Sequence, residues 1–120
     1  MGDALQLLPL SKPVDIIILA HILCMSKNLE ELATYFKITY DSLCSSGTLL
    51  ISVPHPAFDN ITSKSLQRIY HEPYTYFSRG NKCSTSYTQE GHSIHLEDYH
   101  YTLSDYINSA LSMGFNLEQI

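Results

Sequence analysis

An α/β fold built on two parallel strands joined through a helix is predicted by three stretches of this chain. "PVDIIILA", residues 13–20, is a nearly unbroken run of β-branched and aliphatic residues opened by a proline. A run apolar on both faces fits a parallel strand covered by helices on each side. "NLEELATYFKITYDSLCSSG", residues 28–47, carries Leu29, Leu32, Ala33, Phe36, Tyr40, Leu43 and Cys44 at the spacing of one apolar helix face. "TLLISV", residues 48–53, is a second apolar run. Strand, helix, strand is a βαβ unit, and its crossover is expected to be right-handed.

Local chemistry sets the bounds of these elements. Asn28 can cap the first helical turn, with Glu31 three residues on as in a capping box, and Glu30, Glu31, Lys37 and Asp41 fall largely on the polar face. Gly47 suits the left-handed residue that follows a helix C-terminus.

Beyond the βαβ unit, residues 57–100 are expected to be an irregular lid or insertion, with a short helix over residues 61–70 and then a hairpin. "KCSTSYT" and "HSIHLED" alternate loosely around Gln89-Glu90-Gly91, which predicts a three-residue turn. Seven of the nine tyrosines lie between Tyr70 and Tyr106. Amphipathic aromatics on such backbone make a binding lid or a cover for an exposed edge of the core, and both readings stay open. "TLSDYINSALSMGF" predicts a last helix, with Thr102 as N-cap, Asp105 three residues later and Gly114 as the stop. A final strand is expected over residues 115–120.

The 120 residues are about one domain, residues 1–120, and 44% hydrophobic against 16% charged is a globular balance. A net charge of −5, with seven Lys and Arg in no cluster, argues against nucleic acid or an anionic membrane surface as partner. Cys24, Cys44 and Cys83 are odd in number and form no Cys-x-x-Cys pair, so neither a disulfide framework nor a thiolate zinc site is suggested. No secretory pattern is visible, and the apolar run near residues 16–20 is too short to span a bilayer. A cytoplasmic chain is expected.

"GTLLISVPHPAFDN", residues 47–60, ends a strand on a histidine held between two prolines. The prolines fix the exit of the chain and press the residues before them towards extended conformations. His55 is therefore held at one place beyond a parallel strand, where it can serve as a general base or as a wall of a site. His92, His95 and His100 lie close in sequence, but on a strand His92 and His95 point to opposite faces, so no metal site is expected.

The ordered fragments together resemble the C-terminal half of class I S-adenosylmethionine-dependent methyltransferases of the small-molecule type. The matching residues are Gly2-Asp3-Ala4, Val14-Asp15, Ser46-Gly47, Ser52 to Pro56, and Thr102 to Tyr106 with Gly114-Phe115. The resemblance covers nearly the whole chain and implies a partial Rossmann-like methyltransferase sheet, S-adenosylmethionine as cofactor and a small-molecule methyl acceptor.

The resemblance also implies roles. Asp3 and Ala4 would meet the adenine, and Ala20 and His21 would line the sulfonium side of the cofactor. Pro54 and His55 would line the acceptor, and Tyr70 and Tyr74 of the aromatic cluster are expected to join them there. The chain departs from the family where Thr48 replaces a second glycine and where Tyr101, in place of an arginine, follows His100. The family's Gly-rich loop and its ribose-binding acidic residue belong to the half that is not matched. The natural neighbour of strand 14–20 lies there too, so that strand is expected to have an open edge. A homo- or hetero-oligomer would cover it. The competing reading is a non-catalytic methyltransferase-like remnant or partner subunit that acts by protein interaction.

Overall fold

A computed structural model describes residues 10, 12–58, 63 and 65–120. Among these, β1 (Val14–Ala20) and β2 (Leu43–Ser52) pair in parallel around α1 (Leu29–Ser42), so the βαβ unit is present. A second, antiparallel sheet of order β3 (Leu66–Tyr70), β4 (Asn81–Gln89), β5 (His92–His100) follows, and then α2 (Leu103–Ser112).

The helix α1 starts as its sequence dictates. Asn28 is extended and its side chain accepts from the Glu31 backbone N–H at 2.8 Å. Glu31 reaches back one residue further than a capping box requires, accepting from the Lys27 N–H at 2.8 Å. Its end differs from expectation. Leu43 is already extended, and β2 begins there without an intervening left-handed turn. Gly47 lies inside β2 rather than after the helix.

The ladder explains why. Val14 pairs with Leu43, but Ile16 pairs with Thr48, so the residues between Leu43 and Thr48 bulge out of register. A Cβ on Gly47 would lie 2.8 Å from Leu43 Cδ2 and 3.0 Å from the Cys44 carbonyl oxygen. Glycine answers a close approach here rather than a dihedral need.

The core sits on one face of the parallel pair. Leu23, Leu32, Tyr35, Phe36, Tyr101 and Tyr106 are buried together, with Leu19, Leu49 and Val53 packed against them. The opposite face is open among the described residues: Ile16 is 59% exposed, Ile18 65% and Leu50 50%. A strand apolar on both faces was expected to be covered on both sides, and here one side only is covered. Among the described residues β1 pairs with β2 alone.

The helix α2 matches its prediction closely. Thr102 Oγ1 accepts from the Asp105 N–H at 3.1 Å, and the Asp105 carboxylate accepts from the Thr102 N–H at 2.9 Å, a complete capping box. Gly114 has φ 101, and a Cβ there would lie 3.0 Å from the Tyr40 hydroxyl. Both the backbone and the space demand glycine, which lets Phe115 reach Tyr40 edge-on at 5.2 Å.

Residues 66–100 are more regular than expected. Leu66–Tyr70 is a strand, not the second half of a helix over residues 61–70; residues 61, 62 and 64 lie outside the described residues. The hairpin turn has two residues rather than three, because Gln89 pairs with His92 and only Glu90 and Gly91 lie between. Both are at positive φ, 49 and 81, as a type I′ turn requires. Residues 115–120 form no strand, since a strand needs a ladder partner and none of the described residues offers one.

Candidate functional site

The carboxyl ends of β1 and β2 come together at His21 and Ser52. His21 takes a left-handed conformation, φ 55, and its backbone N–H donates to the Ser52 carbonyl at 2.7 Å. A non-glycine residue in that region is uncommon, histidine being one of the more tolerant, and such strain often accompanies a site. The chain turns aside directly after Ala20, leaving Ala20 and His21 both exposed at the end of the strand. Three residues beyond Ser52 on the adjacent strand stands His55.

The Pro-His-Pro corner is tied to the tyrosines. Pro56 is buried, and its carbonyl accepts from the Tyr74 hydroxyl at 3.1 Å. Tyr74 stacks on Tyr70 with ring centroids 3.9 Å apart, and both meet the edge or face of His100. His100 is itself buried and bonds the Tyr76 carbonyl through Nε2 at 2.9 Å. The half-buried Pro54, the exposed His55, Tyr70 and Tyr74 therefore belong to one neighbourhood.

The His55 ring is held locally. Its Nδ1 accepts from the Ala57 N–H at 3.3 Å, and its ring lies 5.1 Å from that of Phe58. With Nδ1 accepting, a neutral ring carries its proton on Nε2 and presents a donor outwards.

A second group of residues escaped the sequence reading. The register of the antiparallel sheet sets Arg68 opposite Thr85 and Cys83 opposite Asp98, so that Asp98 lies diagonal to Thr85 on the same face. The Asp98 Oδ2 accepts from Thr85 Oγ1 at 2.7 Å and meets Arg68 Nη2 at 3.4 Å. Both ionic side chains are nearly fully enclosed, 5% and 6% exposed. Oδ1 has one hydrogen-bond partner among the described residues, the Cys24 thiol at 3.7 Å. Burial first, and the adjacent Asp98 carboxylate second, push the Cys24 thiol up to about 12. It stays a protonated donor rather than a nucleophile. Burial and Asp98 likewise push the Tyr87 phenol up.

Above this group lies an open hollow of about 350 Å³, lined by His21, Cys24, Tyr87, Leu96 and Asp98. His21 thus belongs both to the carboxyl edge of the parallel sheet and to the rim of this hollow. His55 is not part of its lining. Ala20 precedes His21 at the strand end, while Asp3 and Ala4 lie outside the described residues. A signal for Asp98 was present in "HSIHLEDYH": period-two reading puts Ile94, Leu96, Asp98 and His100 on one face, an acid in an apolar row. Among the described residues no group of three His, Cys, Asp or Glu side chains could hold a metal ion. No helix among them is long and apolar enough to cross a membrane.

No family model matches this chain. No curated protein matches it significantly in sequence. Solved structures do match its fold. An S-adenosylmethionine-dependent methyltransferase from Clostridium acetobutylicum superposes with a TM-score of 0.61 at 11% identity, covering 93% of this chain and 51% of that one. The CcbJ methyltransferase from Streptomyces caelestis gives 0.63 at 11% identity, with 95% and 51% covered. The sugar N-methyltransferase KedS8 from a Streptoalloteichus species gives 0.58 at 14% identity, with 94% and 52% covered.

The chain has the fold of S-adenosylmethionine-dependent methyltransferases, as its resemblance implied. It spans about half the length of these neighbours, in agreement with a likeness to one half of the family's fold.

Proposed function

We propose that this chain is the acceptor-side part of an S-adenosylmethionine-dependent methyltransferase acting on a small molecule. The observation that carries the reading is the junction of β1 and β2, where left-handed His21 bonds Ser52 and opens onto a hollow. In open α/β sheets ligands sit beyond the carboxyl ends of the strands, and this junction is such a place. The residues present fit a cofactor there. Ala20 has the smallest side chain short of glycine and is exposed, and His21 turns the chain out of the way.

When bound, S-adenosylmethionine supplies a methyl group activated by its sulfonium. The work of this chain is placement, because alkyl transfer depends on bringing acceptor and methyl into line. Ala20 and His21 would line the cofactor, and Asp3 and Ala4 would reach the adenine as the resemblance implies. The hollow beside His21 would seat the acceptor, and Pro54, His55, Tyr70 and Tyr74, which are not part of its lining, would meet the acceptor only where it extends beyond the hollow. His55 suits a donating wall better than a base, since its Nδ1 already accepts from Ala57 and base action would require releasing that bond.

Among the described residues β1 has no strand partner besides β2 and one of its faces is bare, which supports a further part of the reading: a partner chain bearing an apolar, strand-forming surface covers Ile16, Ile18 and Leu50. Three free cysteines suit a reducing compartment, the cytoplasm. The test is amide chemical-shift mapping. Added S-adenosylmethionine should move the signals of Ala20, His21 and their neighbours. Shifts confined to the antiparallel sheet, or none at millimolar cofactor with or without a partner chain, would overturn the assignment.

A further inference from the structure

The hollow has a floor whose chemistry is specific. Tyr87, Leu96 and Asp98 lie on one face of the antiparallel sheet, on pairs that the register sets side by side: Tyr87 with Ile94, Thr85 with Leu96, Cys83 with Asp98. Cys24 forms a wall from the short turn Leu23–Met25, and His21 forms the rim. Most of this surface is apolar. The ionic groups beneath it are Asp98 and Arg68, which meet at 3.4 Å and cancel. His21 is the other titratable group at the rim, and the Cys24 thiol is protonated.

The two carboxylate oxygens of Asp98 are not equivalent. Oδ2 is taken by Thr85 and Arg68, whereas Oδ1 has a thiol at 3.7 Å, a long contact to a weak donor. A carboxylate oxygen has room for more than one donor, and one on a residue lining an apolar hollow, with so weak a partner among the described residues, is an unfilled acceptor. An ammonium group would bring a second cation beside Arg68 against a single carboxylate, at a desolvation cost that nothing in the hollow offsets. A neutral hydroxyl or unprotonated amine meets the same oxygen without that cost.

We infer that the hollow binds an uncharged acceptor with an apolar body, oriented by one O–H or neutral N–H that donates to Asp98 Oδ1. The inference names the acceptor class for the methyltransferase reading and rests on it for calling the ligand an acceptor. Asp98 is a positioning group for the ligand, Leu96 and Tyr87 give the apolar contact, and Cys24 closes the side. Tyr87 and Leu96 are both part-exposed at the mouth.

The test uses the full chain labelled with ¹⁵N and three probes of nearly equal size at pH 7: benzyl alcohol, toluene and benzylammonium chloride. Benzyl alcohol should move the amides of His21, Cys24, Tyr87, Leu96 and Asp98. It should bind about fivefold tighter than toluene, the worth of one net hydrogen bond. It should exceed benzylammonium by at least as much. Leu96→Trp should abolish these shifts by filling the hollow, and its amide spectrum reports directly that the variant is folded; Leu96 is 39% exposed, so the larger side chain has room.

Equal binding of all three probes, shifts centred on another region, or unaltered binding by folded Leu96→Trp would overturn the inference. Titration of the same sample with S-adenosylmethionine separates the two readings. Cofactor binding without alcohol binding removes the inference and leaves the methyltransferase reading. Alcohol binding without cofactor binding keeps the donor-reading hollow and removes its role as an acceptor site.

Discussion

Arg68 of β3 and Asp98 of β5 meet at 3.4 Å across the central strand of the antiparallel sheet, both almost wholly out of water. Thirty residues separate them in the chain, and Thr85 of β4, diagonal to Asp98, donates to the same carboxylate oxygen at 2.7 Å. Removing Arg68 leaves the Asp98 carboxylate without its counter-cation in a dry site, whereas removing both charges does not. Arg68→Met or Asp98→Leu alone should each cost about 3–5 kcal/mol, and the double variant should recover most of the loss. Urea unfolding of the four proteins checks this; additive losses in the double variant would show that the pair is not coupled.

The cysteines should differ sharply in reactivity. Cys24 and Cys83 are buried and burial raises both thiols, Cys24 to about 12, while Cys44 is half-exposed. Native alkylation with iodoacetamide at pH 8 should label Cys44 alone, with Cys24 and Cys83 labelled only in denaturant. The same shift predicts an alkaline weakness. An unfolded Cys24 ionises above its ordinary 9.0 but the folded thiol holds its proton to about 12. Its contribution is intact below pH 9 and falls between these values, by up to ~1.4 kcal/mol per pH unit. Cys24→Ala should lose less stability than the parent between pH 8.5 and 10.5 in denaturant melts.

The cap of α2 carries more than helix propensity. Asp105 is buried, accepts from the Thr102 N–H and hydroxyl, and pairs with Arg79 at 2.9 Å. Thr102→Ala should cost about 1 kcal/mol as an ordinary cap loss. Asp105→Ala removes the carboxylate that accepts from the Thr102 N–H and hydroxyl and leaves that buried N–H unpaired, so its cost should be larger, about 2–3 kcal/mol. Arg79→Ala should cost little, because its side chain is 60% exposed. Thermal melts order the three variants.

The bare face of β1 should make the isolated chain associate. Ile16, Ile18 and Leu50 form one exposed apolar strip, and among the described residues β1 has no strand partner besides β2. Sedimentation velocity should find a dimer or larger species, and Ile18→Lys should shift it to monomer. A monodisperse parent monomer at tens of micromolar would contradict the proposed partner surface.

What the sequence made legible follows contact range. The βαβ unit and both helix caps are written in neighbouring residues: Asn28 with Glu31, Thr102 with Asp105, and the apolar faces between. The strand Leu66–Tyr70 was misread because Leu66, Ile69 and Tyr70 also fit helical spacing. Its extended form is decided by β4, and by an arginine whose partner is Asp98. Gly47 looked like a helix stop because its true constraint, the approach of Leu43 across a bulge, is a matter of ladder register. Of the site, His21, His55, Tyr70 and Tyr74 stood out by type and position. Asp98 did not, since a single acid in a strand is ordinary until the register puts it beneath a hollow.

Calorimetric titration of S-adenosylmethionine into the chain, compared with Ala20→Trp, tests the central claim most directly. A tryptophan at the exposed strand end would occupy the space proposed for the cofactor while leaving the core untouched. Saturable heat is expected for the parent, alone or with its partner chain, and at least a tenfold weaker response from the variant, about 1.4 kcal/mol of lost binding. No heat from the parent at millimolar cofactor under either condition, or equal binding by Ala20→Trp, would contradict it.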